Sequence, residues 1–128
     1  MGTKLGIGLL GLGTVGAGVA GILQAPEGRH PLVAELELVR IAVRDLQRPR
    51  SIELPAPLLT NNPQAVVDDP SVQVVVEVMG GIEPARTLIM RAIAAGKAVV
   101  TANKAVIARH GEEIASAAAA AGVYVLIE

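Results

Sequence analysis

Residues 5–16 read LGIGLLGLGTVG, a short apolar run that breaks into the pattern Gly11-x-Gly13-x-x-Gly16. The run suits a strand buried on both faces, as in a parallel sheet. Gly11 permits the tight turn that leaves the strand, and Gly13 lets backbone approach a phosphate because no Cβ stands in the way. Gly16 lets the following helix pack closely on the strand. The pattern therefore predicts a site for the pyrophosphate of a dinucleotide.

The context of these glycines strengthens the interpretation, because a glycine triplet alone is weak evidence. The pattern follows a predicted strand and opens an apolar helix that begins near Thr14. The free N–H groups and the positive dipole end of that helix would favour an anion. The alternative is a glycine-rich turn whose only role is packing.

The composition excludes several classes of protein. The chain has 128 residues, of which 52% are hydrophobic, with no cysteine, a single aromatic residue and a net charge of −1. That length suits one domain, and the lack of cysteine excludes disulfides and thiolate metal sites. The charge gives no basic surface for nucleic acid, and no apolar run reaches the roughly 18 residues of a membrane span. We expect a cytoplasmic domain that binds small molecules, with no nucleic-acid or membrane partner.

Strand-like and helix-like segments alternate along the chain, which predicts an α/β fold with a doubly wound, mostly parallel sheet of the Rossmann type. The strands predicted after the first are residues 36–43, 58–60, 72–79, 98–101 and 123–127. The helices predicted after the first are residues 63–67, 84–95 and 111–121. About six strands with helices on both faces would place a ligand across the carboxyl ends of the strands. The turns expected to line that crevice are residues 11–16, 79–81 and 101–104.

Arg44 stands just past the second predicted strand, where an NAD-preferring domain usually places an acidic residue for the ribose hydroxyls. An arginine there can pair with a 2′-phosphate, and Arg48 and Arg50 lie close enough in the loop to help. Such a contact contributes roughly 1.5–3 kcal/mol, on the order of ten- to a hundredfold in affinity. Asp45 could preserve some NAD binding, and solvated loop arginines are the alternative. We predict that NADP(H) is preferred and NAD(H) possible.

The turn after the fifth predicted strand carries Thr101, Asn103 and Lys104. Asn103 could cap the next helix, which would leave Lys104 near its start. Cations are disfavoured at helix N-termini, so Lys104 suggests an anionic or polar ligand or a carboxylate partner. A plain surface lysine is the alternative.

Glu77 interrupts an otherwise apolar strand, so its burial would oblige it to find hydrogen-bond donors, and we assign it a supporting role. Met79 and Gly80 would bring backbone close to the nicotinamide ribose, although Gly-Gly is equally a plain turn. His30 and His110 have no metal-ligand spacing and no acid arranged nearby, so we treat them as surface residues. Two further acids, Glu112 and Glu113, are expected to stabilise the first turn of the last helix.

Five pieces of the chain, in order and nearly end to end, resemble the N-terminal cofactor domain of homoserine dehydrogenase. They are GLLGLGTVGAGV (8–19), AVRD (42–45), VVVEVMGGIEPA (74–85), GKAVVTANKAVIARHG (96–111) and VYVLIE (123–128). The VEVMGG and TANKA pieces are far more specific than the glycine triplet. The resemblance implies NAD(P)-linked interconversion of L-homoserine and L-aspartate 4-semialdehyde, on the route to threonine, methionine and isoleucine.

The resemblance also implies roles for individual residues. By position, the dinucleotide would be held by Gly11, Leu12, Gly13, Thr14, Val15 and Gly16, with its 2′-phosphate on Arg44. Lys104 would lie beside the cofactor and the reacting centre, where we place it as the catalytic residue of this domain. Glu128 would begin a site for a monovalent, sodium-type cation. With the crevice residues Met79, Gly80, Thr101 and Lys104, these complete the predicted site.

Members of that family continue past the matching glutamate into a dimerising substrate domain, whereas this chain ends at Glu128. We therefore expect residues 1–128 to be a dinucleotide-binding domain that binds cofactor weakly and catalyses nothing alone, while the intact enzyme would be a homo-oligomer. The alternatives are a stand-alone, non-catalytic nucleotide-binding or regulatory module, and a dehydrogenase for another semialdehyde or a sugar. Apolar surface around Val123, Val125 and Ile127 should cause self-association unless a partner covers it.

Overall fold

A parallel sheet organises the chain, as seen in a computed structural model that describes residues 4–50 and 52–128. Its six strands run in the order β3-β2-β1-β4-β5-β6, and every neighbouring pair is parallel. The strands are β1 (Leu5–Leu10), β2 (Leu36–Ala42), β3 (Leu59–Thr60), β4 (Val74–Glu77), β5 (Ala98–Thr101) and β6 (Val125–Ile127). This is the strand order of doubly wound dinucleotide-binding folds, so the predicted fold is confirmed.

Four α-helices connect these strands within the described residues. They are α1 (Thr14–Gln24), α2 (Pro63–Asp68), α3 (Ala85–Ala94) and α4 (Lys104–Ala121). Two short 3₁₀ turns, Pro31–Glu35 and Ala56–Leu58, precede β2 and β3. The second of them contains Leu58, which the sequence placed in the third strand.

The last helix begins seven residues before the predicted start at Gly111, at Lys104. The expected cap explains this start, because Asn103 Oδ1 accepts a hydrogen bond from the amide of Val106 at 3.1 Å. The helix then continues through a kink at His110, whose φ of −128° and ψ of 15° are not helical. It ends as predicted at Gly122, which adopts a left-handed conformation with φ of 69°.

The fourth strand is shorter than the predicted residues 72–79. Its flanks still bond to β1, because the amides of Gln73 and Val78 donate to Gly6 and Leu10. Beyond Val78 the next amide, that of Met79, turns to the Glu77 carboxylate instead of a neighbouring strand. A buried acid at the end of the strand therefore terminates it, and a hydrophobic pattern does not reveal this stop.

Two cores lie on opposite faces of the sheet, because successive residues of a strand point to opposite sides. Leu9 packs with Ala20 of α1 and with Ile41 of β2, whereas Leu10 packs with residues of α2, α3 and α4. Leu9 and Leu10 are both fully buried. Burial of each leucine stabilises the folded state by about 1.5–3 kcal/mol. The two cores hold helices against both faces of the sheet, as predicted.

The last strand leaves apolar side chains uncovered. Tyr124 is 80% exposed and Leu126 60% exposed, and Ile127 is also exposed. Val123 and Val125 are half-buried because they pack against the core formed with α3 and α4. The expected apolar surface around these residues is thus confirmed, with Ile127 exposed and the two valines only partly so. Self-association stays a prediction.

Ion pairs join α3 to its two neighbouring helices. Arg91 bonds both carboxylate oxygens of Asp68 in α2, at 2.7 Å and 2.6 Å. Arg86 bonds Glu113 of α4, with 2.7 Å between Nε and Oε1, and His110 Nδ1 lies 3.4 Å from the same carboxylate. Both Glu112 and Glu113 lie in the middle of α4, so their expected role at a helix start is wrong, and so is the expected lack of an acid near His110. The early start of α4 brings these side chains together.

These pairs lower the pKa of both carboxyls. The bond from Arg91 holds the pKa of Asp68 below its usual 3.8, and the bond from Arg86 holds the pKa of Glu113 below its usual 4.5. A carboxyl whose pKa is lower in the folded state stabilises the fold above its unfolded pKa. That contribution is lost as the pH falls through the folded pKa.

We expect the melting temperature to fall as the pH drops below about 4.5, and to fall less steeply in Arg86→Met and Arg91→Met, which lack the pairing cation. Thermal melts monitored by circular dichroism between about pH 3 and 6 measure both slopes. Arg29→Met is the matched control, because the Arg29 guanidinium bonds a backbone carbonyl, that of Ala25. Identical slopes for all four proteins would contradict the assignment.

Candidate functional site

The turn between β1 and α1 has three glycines with three different surroundings. Gly11 has a φ of +104°, a conformation that side chains rarely allow. Gly16 is buried, and a Cβ placed on it would lie 2.3 Å from the carbonyl oxygen of Gly11. A Cβ on Gly13 would meet no atom within 4 Å. The turn and packing roles predicted for Gly11 and Gly16 therefore fit the structure, and Gly13 faces open space.

The amino end of α1 has no side-chain cap. Gly13 occupies the capping position, and none of the side chains in residues 4–50 and 52–128 accepts a hydrogen bond from the first turn. Gly13, Thr14 and Val15 are exposed. Backbone N–H groups in the first turn of a helix lack intrahelical partners, so an uncapped, exposed end such as this can bind an anion.

A second turn lies directly beside the glycines. The amide of Val78 donates to the carbonyl of Leu10 at 2.9 Å, and a Cβ on Gly11 would lie 3.3 Å from Cα of Met79. On the other side, the amide of Gly11 donates to the carbonyl of Ala42 at 3.0 Å. The ends of β2 and β4 therefore flank the glycine turn.

Glu77 connects this second turn to a third. It is fully buried, and its Oε1 accepts a hydrogen bond from Thr101 Oγ1 at 2.5 Å. Its Oε2 accepts from the amides of Met79 and Gly80 at 2.9 Å and 3.4 Å, and from Asn103 Nδ2 at 3.4 Å. The expectation that burial would oblige Glu77 to find donors is confirmed.

The third turn follows β5 and holds the predicted residues Thr101 and Lys104. Lys104 is exposed at the first position of α4. Thr101 is fully buried, and its hydroxyl also accepts from the amide of Asn103 at 3.0 Å. The Thr101 side chain is used within the protein, and its predicted contact with a cofactor stays a prediction.

Asn103 has a larger role than the cap that the sequence predicts. Its Nδ2 donates to the carbonyl oxygen of Gly81 at 2.6 Å, so its amide joins the turn after β4 to the start of α4. The sequence signal for the cap was present, because an asparagine directly precedes the helix. The contact with Gly81 depends on the pairing of β4 with β5 and has no local signal.

The loop after β2 is folded by its own side chains. Arg50 donates to the carbonyls of Asp45, Leu46 and Arg48, with a distance of 2.9 Å for the last. Asp45 Oδ1 accepts from the amide of Gln47 at 2.9 Å. Arg44 and Arg48 are exposed. Arg50 therefore shapes the loop, in contrast to the free cation that its place in the sequence suggested.

Glu128 lies at the same edge of the sheet, because its amide donates to the carbonyl of Thr101 at 3.0 Å. Its role as a cation ligand stays a prediction. Within residues 4–50 and 52–128 no three His, Asp or Glu side chains are grouped so that they could hold a metal ion. The helices of the same residues include none with the length and apolar character required to cross a bilayer.

The sequence matches a known protein family. The family model described as homoserine dehydrogenase, NAD binding domain, matches residues 11–128. The chain belongs to this family. The homoserine dehydrogenase of Synechocystis sp. is 57% identical to this domain over 122 residues, which are 95% of this chain and 28% of that protein. The Bacillus subtilis homoserine dehydrogenase is 39% identical over 95% of this chain and 29% of its own length.

Solved structures agree with this assignment. The homoserine dehydrogenase from Thiobacillus denitrificans superposes with a TM-score of 0.85 and 48% identity, over 98% of this chain and 30% of that one. The S. aureus homoserine dehydrogenase at pH 6.0 gives a TM-score of 0.86 and 36% identity, over 98% and 33%. This homoserine dehydrogenase domain therefore spans about a third of the length of the relatives it matches.

The crowding at Gly16 predicts opposite effects of two similar substitutions in α1. Gly16→Ala should lower the free energy of unfolding by about 1–3 kcal/mol, because the added methyl meets the Gly11 carbonyl. Gly18→Ala is the matched control, because a Cβ there meets nothing within 4 Å. It should raise stability by roughly 0.5–1 kcal/mol through helix propensity. Urea unfolding measures both changes. A free energy of unfolding for Gly16→Ala equal to that of the unmodified domain would refute the close approach.

Proposed function

We propose that this domain binds a nicotinamide dinucleotide, with the pyrophosphate on the turn of residues 11–16. The observation that carries the proposal is the exposed, uncapped start of α1 beside Gly13, where an added Cβ would have no atom within 4 Å from the described residues beyond its chain neighbours. Unpaired backbone donors, the helix dipole and room for close approach favour a phosphate there. The matching family model is described as an NAD binding domain, and this description supports the same ligand.

The strand order supports one orientation of that ligand. Residues after β2 lie on one side of the glycine turn, and the turns after β4 and β5 lie on the other. The adenosine half then lies toward Arg44, and the nicotinamide half lies toward Met79, Gly80 and Lys104. Thr101 supports this half from below, because its side chain is buried.

We further propose that NADP(H) is preferred over NAD(H). Arg44 is exposed directly after β2, where the ribose of the adenosine half is expected. Its guanidinium can form charge-assisted hydrogen bonds with a 2′-phosphate. One oxygen of Asp45 is occupied by the amide of Gln47, which leaves the other for a ribose hydroxyl. Binding of NAD(H) is therefore weaker and still possible.

For the whole protein we propose homoserine dehydrogenase activity, the activity by which its relatives are named. When bound, the nicotinamide supplies or accepts the hydride that interconverts L-homoserine and L-aspartate 4-semialdehyde, a reaction on the route to threonine, methionine and isoleucine. The residues of this domain orient the ring and hold it near the substrate. The exposed side chain of Lys104 is available at the reacting centre to bind the carboxylate or another polar oxygen of the substrate.

Three further properties of the whole protein complete the proposal. Glu128, at the carboxyl edge of the sheet, begins a site for a monovalent, sodium-type cation. Copies of the whole protein assemble into a homo-oligomer. The compartment is the cytoplasm, in keeping with biosynthesis of amino acids. The position of Glu128 beside Thr101 supports the first of these, and the family resemblance supports all three.

Calorimetric titration of the domain with NADPH and NADH tests the proposed site. We expect both to bind, and Gly13→Ala to weaken both about tenfold or more, because its methyl occupies the space left for the phosphates. Gly18→Ala adds the same methyl elsewhere in open space and should leave both affinities unchanged. Lack of binding by the unmodified domain, or equal affinities for the two variants, would sink the proposal.

Arg44→Ala tests the cofactor preference. We expect it to weaken NADPH on the order of ten- to a hundredfold, because it removes a charge-assisted contact with the 2′-phosphate, and to change NADH little. Arg29→Ala is the control, because Arg29 lies beyond the carboxyl end of α1, away from the glycine turn. The same calorimetric titrations measure all four affinities. Equal losses for NADPH and NADH would remove the phosphate role.

A further inference from the structure

The buried carboxylate of Glu77 holds two walls of the crevice together. One wall is the turn after β4, which binds Glu77 through the amides of Met79 and Gly80. The other is the turn after β5, which binds it through Thr101 Oγ1 and Asn103 Nδ2. Four donors from two separate segments therefore converge on one side chain.

Hydrogen bonds alone hold the carboxyl group of Glu77 among the described residues, since the ion pairs found there do not include it. The Thr101 hydroxyl donates to Glu77 and accepts from the amide of Asn103, so it both donates and accepts within the network. Within the described residues no buried side-chain nitrogen or oxygen lacks a partner. A satisfied buried network of this kind is rigid and fixes a single geometry.

The network reaches Lys104 through Asn103. Nδ2 of Asn103 binds Glu77 and the carbonyl of Gly81, while its Oδ1 caps α4 at Val106. Lys104 is the next residue and the first of that helix. The position of the Lys104 backbone relative to the turn after β4 therefore depends on the carboxylate beneath them.

We propose that Glu77 is a positioning residue for the nicotinamide half of the cofactor. It sets the spacing between the turn of residues 79–81 and the start of α4 with Lys104. This inference rests on the proposed function, because it takes these two turns as the nicotinamide side of the crevice. The glycine turn of residues 11–16 adjoins the turn after β4 and donates none of the hydrogen bonds that Glu77 accepts.

A second buried polar side chain, that of Lys97 at the opposite edge of the sheet, provides a control. Lys97 is also buried, and its Nζ donates to the carbonyls of Val67 and Asp69, the latter at 2.7 Å. It precedes β5 at the amino end of the strand. Lys97→Met should destabilise the fold without reaching the crevice, as a purely structural substitution does.

The test compares NADPH with 2′-phospho-ADP-ribose, which lacks only the nicotinamide, in calorimetric titrations of the folded domain. Glu77→Gln keeps the side-chain shape and loses the charged acceptor. We expect it to weaken NADPH about tenfold while 2′-phospho-ADP-ribose changes less than about twofold. Lys97→Met should leave both affinities unchanged at a temperature where the protein is folded.

A second pair of variants keeps the test decisive if Glu77→Gln does not fold. Thr101→Val removes the hydroxyl that binds Glu77 and should cause the same selective loss, whereas Thr101→Ser keeps it and should restore NADPH affinity. Equal losses for the two ligands, or no loss for either, would overturn the positioning role. Failure of the unmodified domain to bind either ligand would overturn the proposed function together with this inference.

Discussion

The close approach of two backbone segments at the first turn governs the rest of the structure. Gly16 lies so near the carbonyl of Gly11 that a single methyl would be only 2.3 Å from that oxygen. This contact sets the amino end of α1 over the carboxyl end of β1. Because Gly13 adds no side chain at the helix start, the amides of the first turn remain open. The open amino end of α1 is thus a consequence of packing.

Parallel pairing carries this geometry across the sheet. All strands end at one edge, so the turns after β1, β2, β4 and β5 meet although they are far apart in the chain. The two cores keep the edge rigid from both faces, with Leu9 on one side and Leu10 on the other. Glu77 then completes the edge by joining the turns after β4 and β5 through hydrogen bonds. Apolar packing places the turns, and a buried polar network sets their spacing.

Local sequence patterns predicted which helices and strands form better than they predicted where each one begins and ends. The apolar runs of β1 and β5 and the glycine at the end of α4 gave the correct elements because periodicity and turn chemistry act within a few residues. The start of α4 was misplaced to Gly111, because glycine signalled a break where packing against α3 sustains the helix through a kink at His110. The early end of β4 was missed because the acid that stops it, Glu77, takes the amide of Met79 away from the sheet while its other oxygen is held by Thr101 of β5.

The sequence by itself determined the fold class, the glycine turn and the exposed cations at Lys104 and Arg44, since each depends on residue type and on neighbours along the chain. Only the tertiary structure decided that Thr101 is buried against Glu77 and that Arg50 is bound to its own loop. Burial and hydrogen-bond partners across strands come from the packing of distant segments. No pattern within one segment contains that information.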